Sequence, residues 1–293
     1  MEIERGAPLA RLTTIGTGGP AAALARPSTL AELEQAVGWA AERGMAVVTI
    51  GLGSNVLGSD AGVDALFVRL EGELASVSID GDVLAAGGGA TNAVCLHRAR
   101  AAGLGGLEFA CAIPGTAGGG VRMNAGAYGS DWSTILDRAL VVSGDGSGWL
   151  DAAALGLSYR HSSLEPGQVV ARVEYRLRPR APEEIKAEVA ELVARRKATQ
   201  PTNKRTFGSV FKNPPGELGA GRMIELCGLK GHRIGGAVIS PRHANFIENA
   251  DGATSADCVE LMREARRRVA DEFGVELEQE VVYLGSFAEH GRG

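Results

Sequence analysis

Three glycine-rich turns, polar yet almost free of charge, constrain this chain more than any other feature. They are Gly51-Leu52-Gly53-Ser54-Asn55-Val56-Leu57, Pro114-Gly115-Thr116-Ala117-Gly118-Gly119 and Asn124-Ala125-Gly126-Ala127-Tyr128-Gly129. Backbone stripped of side chains approaches a ligand closely, and successive amide N–H groups then form an anion-binding concavity. Two such turns suit the two phosphates of a dinucleotide. Glycine supplies 42 of the 293 residues, about twice the usual ~7% share. The excess sits in these turns, so it speaks for ligand loops and against disorder.

A chain of this length, 45% hydrophobic and 22% charged, can bury a substantial core and divide into two or three domains. A net charge of −5 argues against nucleic acid or an anionic membrane as the main partner. A negatively charged substrate must then be met by local Arg and Lys. Cys95, Cys111, Cys227 and Cys258 lie far apart, at no metal-binding spacing, and read as small hydrophobes in a reducing compartment. The five histidines form no ligand pattern either, so no metal site is expected. Met1–Arg5 lacks the apolar stretch of a signal peptide, and no apolar run approaches a membrane span. The chain reads as cytoplasmic, a monomer or weak oligomer.

Periodicity places the turns. Thr29-Leu30-Ala31-Glu32 is a capping box opening a helix with Leu30, Leu33, Val37 and Ala41 on one face and Gly44 as its stop. The apolar run 46–50 fits a buried strand, and the first glycine turn follows it directly, where α/β proteins place cofactors. Short strands are expected over 65–69, 76–79 and 83–86, then a helix over 91–102 with Val94, Leu96 and Ala99 inward. Leu136–Ser143 and Val169–Leu177 read as strands, with a turn at 144–148. Pro182 opens a helix through Gln200 with Ile185, Val189, Leu192 and Val193 as its buried stripe. A helix at 219–227, strands near 233–248, a long helix at 255–273 and a closing strand Glu276–Leu284 complete the pattern.

Several clusters can carry chemistry, and each has a plain structural reading beside it. Gly51-x-Gly53-x-x-Val56 lacks the third glycine and the following helix of a Rossmann fingerprint, Gly87-Gly88-Gly89 lacks the third position, and no phosphate-binding Gly-Lys-Ser/Thr occurs. Arg160, within Tyr159-Arg160-His161-Ser162-Ser163, offers a planar fork for a carboxylate or phosphate, or a surface ion pair. Ser209, within Phe207-Gly208-Ser209-Val210-Phe211-Lys212-Asn213-Pro214, is a pocket hydroxyl or a turn cap. Glu278 and Glu280 share one face of the closing strand, with Gln279 opposite, as a partly buried acid or as edge charge.

Taken together and in order, these motifs pass from suggestive to specific. Gly51–Leu57, Ile113–Gly119, Asn124–Gly129, Tyr159-Arg160-His161-Ser162, Gly208–Pro214 and Glu280-Val281 resemble, at similar spacing, those of the UDP-N-acetylenolpyruvoylglucosamine reductases. Gly231-His232-Arg233-Ile234-Gly235-Gly236 and His243-Ala244-Asn245-Phe246 resemble the shorter of that family's two subtypes. The likeness covers nearly the whole chain. It implies an α+β protein: an FAD-binding fold of the vanillyl-alcohol-oxidase type, with two α/β subdomains, plus a C-terminal α+β substrate domain. The implied divisions are 1–69, 70–181, a connecting helix at 182–200 and a substrate domain at 201–280. A closing strand near 281–293 can return to the first.

The resemblance also implies site residues. Leu52, Gly53, Ser54, Asn55, Val56, Leu57, Gly115, Thr116, Gly118, Gly119, Asn124, Gly126, Ala127 and Tyr128 would hold FAD. The first histidine, His97, lies past the first glycine turn, so an untethered flavin is expected. NADPH would reduce the flavin and leave. UDP-N-acetylglucosamine enolpyruvate would then enter and receive the hydride at its vinyl carbon, yielding UDP-N-acetylmuramate for peptidoglycan. Arg160 would pair with the substrate carboxylate, Glu280 would donate to the enolate oxygen, and Ser209 would protonate the carbanionic carbon, helped by Lys212 or a water. Glu280 needs burial to raise its pKa for that role. Tyr159, Lys204, Arg205, Lys212, Asn213 and Arg233 would contact substrate. Two alternatives stay open: an FAD oxidase of an alcohol or sugar, and a nucleotide-binding module without catalysis.

Overall fold

The computed structural model describes residues 2–287. The chain forms two compact units. One contains residues 2–5, Ala23–Leu52 and Ala65–Arg196; the other gathers Gly6–Ala22, Gly53–Asp64 and residues 197–287.

The first unit is built on two sheets. In one, Ala46–Thr49 runs parallel to the strand Val63–Val68, pairing Ala46 with Ala65 through Thr49 with Val68, while Ile3–Glu4 lies antiparallel to Pro20–Ala25. The other is antiparallel, in the order Gly146–Asp151, Leu136–Ser143, Val169–Arg176, Val83–Gly87, Val77–Asp80. Its central strands are nearly continuous apolar runs because both faces are covered. On one face, Leu140, Val142, Val169 and Ala171 pack with Leu33, Ala36, Val37 and Ala40 of helix α1 (Leu30–Ala41). On the other, Val141, Val173 and Tyr175 join Cys95, Leu96 and Ala99 of α2 (Asn92–Ala101) and Val121 of α3 (Ala117–Met123). A register shift between Leu140 and Val141 marks a bulge in the pairing with Val169–Arg176. Trp132 is fully buried there, donating through Nε1 to the Tyr175 hydroxyl at 2.7 Å. Helix α4 (Pro182–Thr199) begins at the predicted proline.

The second unit holds a four-stranded antiparallel sheet in the order Thr206–Ser209, Phe246–Asn249, Ala237–Ile239, Arg233–Ile234. Helices α5 (Ala220–Leu226) and α6 (Ser255–Phe273) share its core with Phe207, Phe211 and Ile247. Helix α6 carries complete end signals. Thr254 and Asp257 exchange capping bonds of 3.0 and 2.9 Å, and Gly274 ends the helix at φ +65°.

Local expectations fail in instructive places. The run 46–50 is an edge strand, half exposed, because its partner covers one side only. Glu32 caps Ser28 N at 2.7 Å while its own N–H donates to Thr29, so the box closes one residue early. Val94 is 45% exposed, and α2 turns Asn92 and Cys95 inward instead. Three of the five residues of the expected 144–148 turn belong to a strand, Gly146–Asp151. Only Ile185 of the α4 stripe is buried. The closing strand shrinks to Val282–Leu284, which runs parallel to Val56–Gly58. Helix α3, with Gly118, Gly119 and Gly120 inside it, is hidden in a segment that reads as a turn. A Cβ on Gly120 would lie 2.7 Å from the Trp132 ring and one on Gly118 3.0 Å from Val170 O. Those two glycines exist for close packing, which outweighs their poor helix propensity.

Candidate functional site

In the first unit, Arg160 is presented by a two-residue turn. Ser158 and His161 exchange backbone hydrogen bonds of 3.1 Å, and Arg160 sits at φ +54°, where such a turn ordinarily takes glycine. Two side chains fasten the turn. Asn124 Nδ2 donates to Ser158 O at 2.8 Å, and Ser162 Oγ donates to Arg122 O at 2.6 Å. Arg160 Nη2 donates to Gly126 O at 2.6 Å, and its guanidinium stacks over the Tyr159 ring. Gly126–Ala127 pairs with Ser130–Asp131 around Tyr128-Gly129, both at positive φ, as a type I′ hairpin requires. Asn124, Tyr128 and Arg160 are the non-glycine residues with positive φ among the described residues. Such strain gathers where function requires a particular side chain.

The second unit presents Ser209 and Glu280 on neighbouring backbones. A bulge between Thr206 and Ser209, with Gly208 at φ +81°, breaks the pairing with Phe246–Asn249 just before Ser209. Beyond it, Val210 O accepts from Glu280 N at 2.9 Å, and Lys212 N donates to Glu278 O at 2.8 Å. Asn55 Nδ2 reaches Glu280 O at 3.3 Å. Glu280 is half-buried and Glu278 exposed. The structure therefore brings the loop 53–57, Ser209 and Glu280 together within this unit.

Several expected contact residues are already engaged. Lys212 Nζ pairs with Glu278 Oε1 at 2.6 Å, and Asn213 Oδ1 accepts from Ala220 N at 3.1 Å, at the start of α5. Asn124 is buried, with its amide divided between Ser158 O and Ser133 N. Thr116 Oγ1 caps α3 through Gly119 N, and Gly118 is buried. Leu57 is fully buried in the second unit's core. At these last four positions no side chain is offered to a ligand, and the N–H groups of Gly118 and Asn124 already donate to Gly88 O and Val121 O. Tyr128 donates its hydroxyl to Leu192 O at 3.1 Å, under Arg195, and burial raises its pKa. Lys204, Arg205, Arg233 and Tyr159 are exposed.

The first unit also contains a cavity of about 450 Å³ beside Leu52, Pro114 and Gly115, walled by Leu96, Ile113 and Val189 and edged by Arg100 and Arg196. Arg196 Nε is buried there without a hydrogen-bond partner. Apolar walls for a ring, cations at the rim and a donor awaiting an acceptor fit part of a dinucleotide. Cys111, which also lines it, has a thiol pKa raised by burial; the buried Cys95 and Cys258 are pushed up to about 12 by the same cause. Sequence reading missed Arg196 and gave no role to Asn245. Arg196 shows itself only as a buried unpartnered donor in the cavity wall and Asn245 only through tertiary hydrogen bonds, neither of which residue spacing displays.

A family model described as FAD binding domain matches residues 21–149, and one described as UDP-N-acetylenolpyruvoylglucosamine reductase, C-terminal domain, matches residues 200–284. A UDP-N-acetylenolpyruvoylglucosamine reductase of Anaeromyxobacter dehalogenans is 48% identical over 283 residues, covering 97% of this chain and 86% of its own. One from Symbiobacterium thermophilum is 44% identical, covering 97% and 92%. The crystal structure of the Thermus caldophilus UDP-N-acetylenolpyruvylglucosamine reductase matches with a TM-score of 0.85 at 38% identity, covering 97% of this chain and 99% of that one.

Proposed function

The chain belongs to the UDP-N-acetylenolpyruvoylglucosamine reductase family, and from that premise we propose that it reduces UDP-N-acetylglucosamine enolpyruvate to UDP-N-acetylmuramate with NADPH, for peptidoglycan synthesis. The observation that carries this reading is the presence, in one chain, of the FAD-binding domain and the reductase C-terminal domain, over nearly its full length. Bound FAD supplies hydride transfer between NADPH and the enolpyruvyl double bond.

The residues divide the remaining work. The Arg160 guanidinium receives the substrate carboxylate in bidentate fashion and stabilises the charge that grows on it as hydride adds. Its turn holds it rigid, so little reorganisation accompanies that charge. Ser209 Oγ gives a proton to the carbon next to the carboxylate, and the Glu280 carboxyl hydrogen-bonds the enolate oxygen. Lys212, whose ammonium pairs with Glu278, or a water returns the proton that Ser209 gives up. The exposed cations Lys204, Arg205 and Arg233 meet the diphosphate. The backbone of 52–56, 115–119 and 126–128 would hold the flavin, with Arg196 and Arg100 lining the cavity beside Leu52 and Gly115. Both substrates are water-soluble anions, so we place the reaction in the cytoplasm.

Anaerobic spectroscopy tests this reading. The purified protein is expected to carry flavin absorbance that NADPH bleaches and the enolpyruvyl substrate restores. Restoration by dioxygen alone would favour an oxidase, and a colourless preparation unable to take up FAD would overturn the assignment.

A further inference from the structure

We infer that Asn245 is a positioning residue for the protonation step, setting the backbone that carries Ser209 and Glu280. The inference rests on the function proposed above and extends it to a residue outside the catalytic set.

Asn245 is 4% exposed, and its side chain does the work of a strand. Oδ1 accepts from Phe211 N at 3.0 Å and Nδ2 donates to Phe211 O at 2.8 Å, so one amide makes both bonds of a ladder pair. Its backbone O accepts from Val210 N at 2.9 Å. Three consecutive bonds thus fix Val210 and Phe211, immediately after Ser209. They act just beyond the bulge at Gly208, where the remaining backbone pairing is Ser209 with Phe246 and a single bridge from Phe211 to Gln279. The same segment sets the next one, because Val210 O accepts from Glu280 N. The order of support is Asn245, then Val210-Phe211, then Ser209 on one side and Glu280 on the other. His243 Nδ1 in turn accepts from Asn245 N at 3.3 Å, which steadies the clamp from behind.

A residue that only stabilises the fold slows every step of the enzyme or none. A residue that aims the proton donor slows one. Misplacing a reacting group by about 1 Å costs on the order of 10²-fold in rate, while hydride uptake from NADPH needs neither Ser209 nor Glu280. The test is single-turnover kinetics of the FAD-loaded enzyme, with both half-reactions followed by flavin absorbance well below the unfolding temperature.

Asn245→Ala is expected to bleach with NADPH within about twofold of wild type while substrate-driven reoxidation slows by roughly 10²-fold. The half-saturating substrate concentration stays within about threefold. Ile247→Ala, a neighbouring core truncation that spares the clamp, is expected to leave the ratio of the two rates unchanged. If Asn245→Ala does not fold, Asn245→Asp decides. It keeps the acceptor for Phe211 N and loses the donor to Phe211 O, and reoxidation alone is expected to slow, by about tenfold. Equal slowing of both half-reactions, or a ratio like that of Ile247→Ala, overturns the inference. Ser209→Ala run in parallel separates the layers. If Ser209→Ala blocks reoxidation and the Asn245 variants do not, only this inference falls; if Ser209→Ala has no effect, the proposed site falls with it.

Discussion

Arg160 and Ser209 reach their positions by opposite means. The Arg160 turn puts a long side chain at φ +54°, where glycine would rest more easily, and holds it with the buried amide of Asn124 and the hydroxyl of Ser162. The Ser209 segment places the unusual backbone one residue earlier, on Gly208 at φ +81°, and leaves the serine unstrained. The difference suits the roles proposed for the two groups. A guanidinium that receives a carboxylate has to occupy the apex of the turn itself. A hydroxyl that passes a proton needs only its neighbours fixed, and the Asn245 amide does that with the Phe211 peptide.

The largest expected effect breaks the first arrangement chemically. Arg160→Lys keeps the charge and loses the planar fork, so kcat/KM with the enolpyruvyl substrate is expected to fall about 10²–10³-fold. Near-normal turnover would reduce Arg160 to a turn residue. Next, Gly208→Ala adds a Cβ 3.2 Å from Ser54 O at a positive φ, and denaturant unfolding is expected to show a loss of about 2 kcal/mol. The opposite change on the other side has the opposite sign. Arg160→Gly is expected to be about 1 kcal/mol more stable than Arg160→Ala, because glycine occupies that backbone without strain. Equal stability of the two would show that the turn is relaxed.

The smallest effect is one of pH. Burial, reinforced by Lys230, lowers the His243 pKa from its usual 6.5, and its Nδ1 must be unprotonated to accept from Asn245 N. A group whose pKa falls on folding favours the folded state above its unfolded value. Stability is therefore expected to be complete above about pH 6.5 and to decline as pH drops through the lower folded value. His243→Gln is expected to flatten that acid limb, measured by urea unfolding between pH 7 and 5 (a span of roughly two units around the histidine range).

Much of this was legible in the residues. The helix expected over 255–273 is α6, Pro182 announced α4, and the apolar run 136–143 is a strand from end to end. The ordered motifs identified the family and its flavin. What stayed hidden has physical causes. A helix with three glycines among seven residues defies propensity, because Gly118 and Gly120 are chosen for contact with Val170 and Trp132. Thr116, Asn124 and Leu57 read as ligand contacts, yet their side chains are spent on a cap, a turn and a core. Asn245 stood inside a family-like motif without a role, since an amide that imitates a strand is recognisable only once its partner is known.

Ser209→Ala in a single turnover is the sharpest probe of the proton donor. With FAD bound and oxygen excluded, NADPH is expected to bleach the variant at close to the wild-type rate, and the enolpyruvyl substrate is expected to leave it bleached, with reoxidation slowed by 10²-fold or more, roughly the worth of a positioned proton donor. Recovery of colour at the wild-type rate would contradict the assignment of Ser209 as the proton donor and, with it, the account of how this half of the site is built.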